Sequence, residues 1–323
     1  MAKRRRRMNE QELITPEISR EGLAALLERY ALGPLETVES LDTAGGTLLV
    51  NGDLAIRCSA QSAMLRKEAL IYRRLALLPD VPAPEVLAFD TRRDLLPCDA
   101  LILRHLPGVV GSTVWATMDS LQREQISEEL GRICGMIHSL PWSVYGGLVP
   151  EELHELRSAR WNDIVMQKVV HVYEQASQRG LLSRRVLDAF ATTVSDSDSI
   201  IATPELPVLT HNDLGMWNVL LRQEGARWHI TAVLGWEAAL TADPAWEFAA
   251  LWSVPINAYP LPDYFMHGYK ERHLPPTDLH IRQRLYRTIY HLEQALQLSE
   301  RPHADSQIMS IHLTAIERLL TPH

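Results

Sequence analysis

The stretch His211-Asn212-Asp213-Leu214-Gly215-Met216-Trp217-Asn218 decides how this chain is read. It follows an apolar run, Leu206 to Leu209, and sets an aspartate and an asparagine five residues apart just beyond a strand. That pair suits phosphoryl transfer. The aspartate can orient a substrate hydroxyl and accept its proton, and the asparagine can offer its amide oxygen to a magnesium ion on nucleotide phosphates. Further along, Val233-Leu234-Gly235-Trp236-Glu237 puts a glycine where a site of this kind carries its main metal-binding carboxylate.

Outward from this loop, the punctuation divides the chain near Pro107-Gly108. The smaller part comes first. Residues 11 to 34 read as helical, with Leu23, Leu26 and Leu27 at helical spacing, and a β-rich region runs from Thr37 to Ser59. Asn51-Gly52 between two apolar runs predicts a hairpin, because both central residues of a type I′ turn need positive φ. Gln61 to Leu78 has helical periodicity, and Val86 to Asp90 and Ala100 to Arg104 read as further strands, giving about five strands and one inserted helix. The larger part is mostly helical: Leu121 to Leu140, opened by Asp119-Ser120 and stopped by Pro141, then Arg157 to Arg179, Ser183 to Thr193, Thr277 to Leu298 and Ala304 to Leu320. The only strand-like material expected there lies at Val208 to Thr210, Val219 to Arg222 and Ile230 to Leu234.

Together these features resemble the aminoglycoside phosphotransferase and choline kinase family, small-molecule kinases with the protein-kinase-like fold. The resemblance covers roughly residues 35 to 300. It rests on Thr210-His211-Asn212-Asp213 through Asn218-Val219-Leu220, on Leu234-Gly235-Trp236-Glu237, on Asp243-Pro244-Ala245-Trp246-Glu247, and on Leu101 to Gly108 at the interlobe position. It implies an α+β, two-lobed architecture: a basic tail and helix over 1–34, a small β-rich nucleotide-binding lobe over 35–107, and a larger helical lobe over 108–323 that carries the catalytic loop and acceptor site.

The resemblance also implies roles. Asp213 becomes the catalytic base, His211 a brace of the loop, and Asn218 a ligand of Mg2+. Arg57 falls where the family carries a lysine on the α- and β-phosphates; its planar fork can grip phosphate oxygens, but it is not a conservative replacement. Glu68 is its natural carboxylate partner on the following helix. Gly45 and Gly46 belong to the turn over the phosphates, and the Arg104 carbonyl and Leu106 amide would hold the purine of ATP or GTP. Gly235 is the departure, since the family has there an aspartate that bridges metal to phosphates. Three readings stay open: Glu237 reaches in as a surrogate from the same side of an extended segment, Asn218 and water hold one weaker ion, or transfer is lost and a binding protein of kinase-like form remains. Asp243 and Glu247 are expected to hold local structure or face substrate. The tryptophans read as core, Trp161 and Trp217 being singled out among them because the family's corresponding helices and loop wall the acceptor site. The acceptor classes implied are aminoglycoside antibiotics, sugars and amino alcohols.

Composition bounds this reading without sharpening it. The 323 residues, 46% hydrophobic and 22% charged, suit two packed cores. No run of 18 apolar residues exists, and the basic start has no apolar segment behind it, so a cytoplasmic protein without a membrane partner is expected. The net charge of −8 includes the five basic residues Lys3 to Arg7, so the body is more acidic still, a poor partner for nucleic acid and mildly suited to a cationic acceptor. Cys58, Cys98 and Cys134 have no CxxC spacing and read as small buried hydrophobes, and the histidines as scattered.

Overall fold

The computed structural model describes residues 18–41, 46–149, 157–202, 206–253, 260–276, 278–300 and 306–321. The Lys3 to Arg7 run and Asp42 to Gly45 lie outside them. The chain forms two compact units, the first ending at Leu106 apart from residues 78–82, the second comprising those five residues and the chain from Pro107 onward.

Among the described residues the first unit is a five-stranded antiparallel sheet with two helices. Its strands are β1 (Val38–Ser40), β2 (Thr47–Val50), β3 (Leu54–Ser59), β4 (Val86–Asp90) and β5 (Asp99–Arg104), in the order β1-β2-β3-β5-β4. The β2–β3 turn is a three-residue loop, Val50 pairing with Leu54, and Asn51 and Gly52 take φ of 54° and 75°. The Asn51 amide also holds the approach to β1, accepting from the Glu36 N–H at 2.8 Å. Helix α1 (Arg20–Arg29) is capped by Ser19, whose hydroxyl accepts from the Gly22 N–H, and buries Leu23, Leu26 and Leu27 against Val50, Leu54 and Ile56 of the sheet. Helix α2 (Ser62–Leu75) follows β3 and packs against β3, β4 and β5.

The second unit is mainly helical. Its helices are α3 (Gly111–Val114), α4 (Ser120–His138), α5 (Trp161–Gln178), α6 (Arg184–Ile201), α7 (Pro244–Leu251), α8 (Pro262–Lys270), α9 (Leu279–Ser299) and α10 (Ser306–Leu320). Asp119 begins α4 through a capping box with Gln122. The principal core gathers Val165, Val172, Phe190, Tyr286, Ile289 and Leu292 from α5, α6 and α9, all fully buried.

Among the described residues seven short strands carry the loops between these helices, where three strand regions were expected. Strands β6 (Val109–Val110), β10 (Val219–Glu224) and β11 (Arg227–Val233) form one sheet; β7 (Tyr145–Gly146), β8 (Arg157–Ser158), β9 (Val208–Thr210) and β12 (Leu240–Ala242) form another. Strands β6, β7, β8 and β12, of two or three residues, are too short to show an alternating pattern, whereas β9, equally short, is marked by the apolar run that leads into the loop. Helix α6 runs eight residues beyond Thr193 to Ile201 because the polar stretch after it still turns Ser197 and Ile201 inward. Helices α7 and α8 also go beyond the expected set.

Candidate functional site

In the second unit, β9 delivers the loop 211–218 and β10 leaves it. The loop is fixed from below by α7. Glu247, on that helix and 1% exposed, accepts from the backbone N–H of His211 at 2.5 Å and of Asn212 at 3.2 Å. Its anchorage lets Asn212 hold a left-handed φ of 61°, which would otherwise be costly. Helix α7 is set in turn by Asp243, whose carboxylate caps the Ala245 N–H at 2.8 Å, accepts from the Tyr286 hydroxyl at 2.8 Å and is ion-paired to Arg282, the pair being almost fully buried. Asp243 and Glu247 are thus structural carboxylates, one expectation of the two left open.

His211 is 2% exposed, and its Nε2 donates to the Leu234 carbonyl at 2.8 Å while its ring packs on Trp236. It ties the loop to the next turn. Its Nδ1 faces no hydrogen-bond partner, and His211 lines a cavity of about 10 Å³ with Cys134, His138, Trp236 and Glu247, roughly the room of one water. Cys134 and His138, one turn apart on α4, come within 3.7 Å of each other there, and His138 Nε2 lies 3.9 Å from Glu247. Burial pushes the Cys134 thiol up, the nearby Glu247 adding to it. All three cysteines are buried and unbonded.

Asp213 sits at the loop's centre, 8% exposed. Asn218 donates its amide N–H to the Asp213 carbonyl and to its Oδ2, both at 2.9 Å, so the two residues five apart do meet. The Trp217 indole N–H donates to the same Oδ2 at 3.0 Å. This bond was not legible in the sequence, where Trp217 stood out only for its place on the loop. Trp161 is 4% exposed, in the core as its type suggests, its indole donating to the Tyr286 hydroxyl at 2.7 Å.

Gly235 lies against Asn218. It has φ of 76° and ψ of 50°, and a Cβ built on it would stand 2.3 Å from Asn218 Oδ1. The space a metal-binding side chain at 235 would enter is therefore filled by the asparagine amide. Residues 236–238 form a single 3-10 turn rather than an extended segment, so the same-side argument for Glu237 does not hold. Magnesium takes oxygen ligands at short octahedral distances and favours carboxylates. Beside Asn218 stand its own amide oxygen and the Asp213 carboxylate, which already accepts from Asn218 and Trp217, and position 235 offers no side chain; these residues do not fit a magnesium held by a carboxylate at 235, as the resemblance implies.

In the first unit, β3 turns Leu54, Ile56 and Cys58 inward and leaves Arg57 on the other face. There Arg57 is ion-paired to Glu68 of α2, the carboxylate being 1% exposed. The pairing expected from sequence is present. Gly46 accepts from the Cys58 N–H at 2.8 Å, extending the β2–β3 ladder, while Gly45 is outside the described residues. Arg104 ends β5 with its side chain on Asp53 at 3.1 Å, and Leu106 lies in the segment between β5 and β6.

Among the described residues no helix is long and apolar enough to cross a membrane. No curated protein sequence matches the chain. Solved structures do. A thermostable mutant of aminoglycoside phosphotransferase APH(4)-Ia, in a ternary complex with AMP-PNP and hygromycin B, is 19% identical with a TM-score of 0.61, covering 92% of this chain and 96% of that one. Aminoglycoside 2'-phosphotransferase-IIIa in complex with GDP is 17% identical with a TM-score of 0.60, covering 91% and 95%. A related 2'' enzyme with GDP and kanamycin is 16% identical with a TM-score of 0.60, covering 91% and 96%. At these identities the likeness establishes the kinase-like, α+β fold. A family model described as the phosphotransferase enzyme family matches residues 55–280, and with more than half of its length so matched, the chain belongs to that family.

Proposed function

We propose that this chain engages a purine nucleotide and a small hydroxyl-bearing acceptor as a small-molecule kinase, with Asp213 orienting the acceptor hydroxyl, and that it transfers phosphate slowly for want of an aspartate-held metal. The observation that carries the reading is the Asp213 carboxylate, held on one oxygen by the amide of Asn218 and placed on a loop anchored by Glu247. A fixed carboxylate at a strand end can align a hydroxyl and receive its proton, and most of such catalysis is positioning. Arg57, kept in place by Glu68, would supply the cation to the phosphates, and the main chain around Arg104 and Leu106 would hold the purine. The relatives bound to AMP-PNP with hygromycin B and to GDP with kanamycin support a nucleotide beside a hydroxylated, cationic acceptor. An aminoglycoside-like antibiotic, a sugar or an amino alcohol is the acceptor class.

A second reading, binding without transfer, is favoured by one observation: Asn218 occupies the space next to Gly235 where a metal carboxylate would have to be. Transfer of labelled γ-phosphate from ATP and GTP to a panel of these acceptors separates the two, using the wild type and Asp213→Asn. Slow transfer that is lost in Asp213→Asn is the expected result. Transfer unaffected in Asp213→Asn would overturn the role of Asp213, and the absence of transfer to any acceptor that binds would establish the second reading.

A further inference from the structure

We infer that Trp217 is a positioning residue for Asp213, and that Gly215 exists to seat it; this rests on Asp213 being the hydroxyl-orienting group. Two donors, the Trp217 indole at 3.0 Å and the Asn218 amide at 2.9 Å, converge on a single carboxylate oxygen, Oδ2. Two bonds to one oxygen from different directions fix the carboxylate about its Cβ–Cγ bond, and so set the direction in which Oδ1 points. Hydrogen bonds to a carboxylate are among the stronger ones and also favour its ionised form.

The indole reaches Oδ2 only by folding back over its own loop. The Met216–Asn218 segment is a 3-10 turn, closed by the Asn218 N–H on the Gly215 carbonyl at 2.9 Å, and the ring comes down on Gly215. A Cβ at 215 would lie 2.4 Å from Cζ2 and 2.5 Å from Cη2 of that ring. Gly215 has φ of −131°, ordinary for any residue, so its lack of a side chain answers to the indole and not to the backbone. An indole that merely covered the loop would have no need of a nitrogen facing the carboxylate. One that walled off a ligand would not be pressed onto its neighbour's α-carbon. The ring is half-buried, and its polar edge is the edge that is used.

The test is a ¹H–¹⁵N spectrum of the full chain labelled on its tryptophan indoles, with the Trp217 resonance assigned by its loss in Trp217→Phe. The resonance is expected to move toward the position of free indole, and its exchange with solvent to quicken, in both Asp213→Ala and Gly215→Ala. In the transfer assay, Trp217→Phe and Gly215→Ala should each lower kcat about 10- to 100-fold at unchanged nucleotide KM, as misplaced catalytic groups do, and the double variant should be no worse than either alone. A Trp217 resonance that ignores both Asp213→Ala and Gly215→Ala would overturn the inference. Wild-type protein that transfers no phosphate would defeat the kinase reading instead, while the spectrum still decides whether the indole holds the carboxylate.

Discussion

The loop at 211–218 and the turn at 234–238 touch where Asn218 meets Gly235, and they are held to different standards. In the loop, Asp213 is secured by Asn218 and Trp217, the backbone beneath it by two N–H bonds to Glu247, and His211 is tied across to Leu234. Removing any one of these leaves the others. The turn carries a glycine at 235, with no side chain to offer a metal. A device built from many small bonds degrades by steps, whereas one built on a single carboxylate is lost in a single substitution. On the function proposed above, the hydroxyl-facing half of the site is built from many bonds and the metal-facing half lacks a carboxylate at 235.

The contrast can be broken most severely at Glu247. Glu247→Leu leaves the buried His211 N–H and the part-buried Asn212 N–H without their acceptor, at about 1–3 kcal/mol for a buried group and less for one that water reaches, so a loss of about 2–5 kcal/mol is expected in urea unfolding. A loss under about 1 kcal/mol would show that the loop is held by its own sequence rather than by α7.

Gly235 comes next. Gly235→Ala forces a side chain into a left-handed backbone and displaces the Asn218 amide from the Asp213 carboxylate, with an expected cost of about 2–4 kcal/mol. Gly235→Asp meets the same obstruction but restores a carboxylate. Its expected signature is a lower melting temperature than the wild type, partly recovered by magnesium together with nucleotide. Equal melting temperatures for Gly235→Asp with and without the metal would show that position 235 is not the metal position.

The smallest effect lies far from the loop, between α9 and α10. His291 Nδ1 and His312 Nδ1 are 2.9 Å apart in a buried setting, and burial first, then the neighbouring His312, lowers the His291 pKa to about 3. In the unfolded chain a histidine takes its proton near 6.5. Between these values the unfolded state binds a proton that the folded state refuses, so stability is full above about 6.5 and falls as the pH drops toward 3, by at most about 1.4 kcal/mol per pH unit. Urea titrations at neutral and mildly acid pH should show this slope in the wild type and a shallower one in His291→Gln. Identical slopes would mean that the pair is protonated in the folded state.

The strand-end loop and the meeting of Asp213 with Asn218 were legible because they lie in one contiguous stretch: an apolar strand, then His, Asp and Asn at fixed spacing. The Arg57–Glu68 pair was legible through the resemblance, which sets a cation on this strand opposite a carboxylate of the following helix. The Asn51-Gly52 turn announced itself through its need for positive φ. What escaped depends on contacts between distant segments. The Trp217 bond requires the missing side chain of Gly215 and a turn that brings the indole back, and no spacing rule contains that. Trp161 lies in the core, where its indole donates to Tyr286, and not beside a ligand as its place in the resemblance allowed. Cys134, His138 and Glu247 meet through the packing of α4 and α7 behind the loop. Asp243-Pro244 did carry a helix-start signal, a capping acid before proline, and α7 is where that signal leads.

The most direct measurement is a thermal-shift titration of the full chain with ATP and with GTP, each with and without magnesium, since a ligand that binds only the folded state raises the melting temperature by mass action. A site with its hydroxyl-facing half built and no carboxylate at 235 predicts a nucleotide shift of nearly the same size with or without the metal. A shift that appears only when magnesium is present would contradict the account, because the chain would then hold the metal through residues other than those around Gly235.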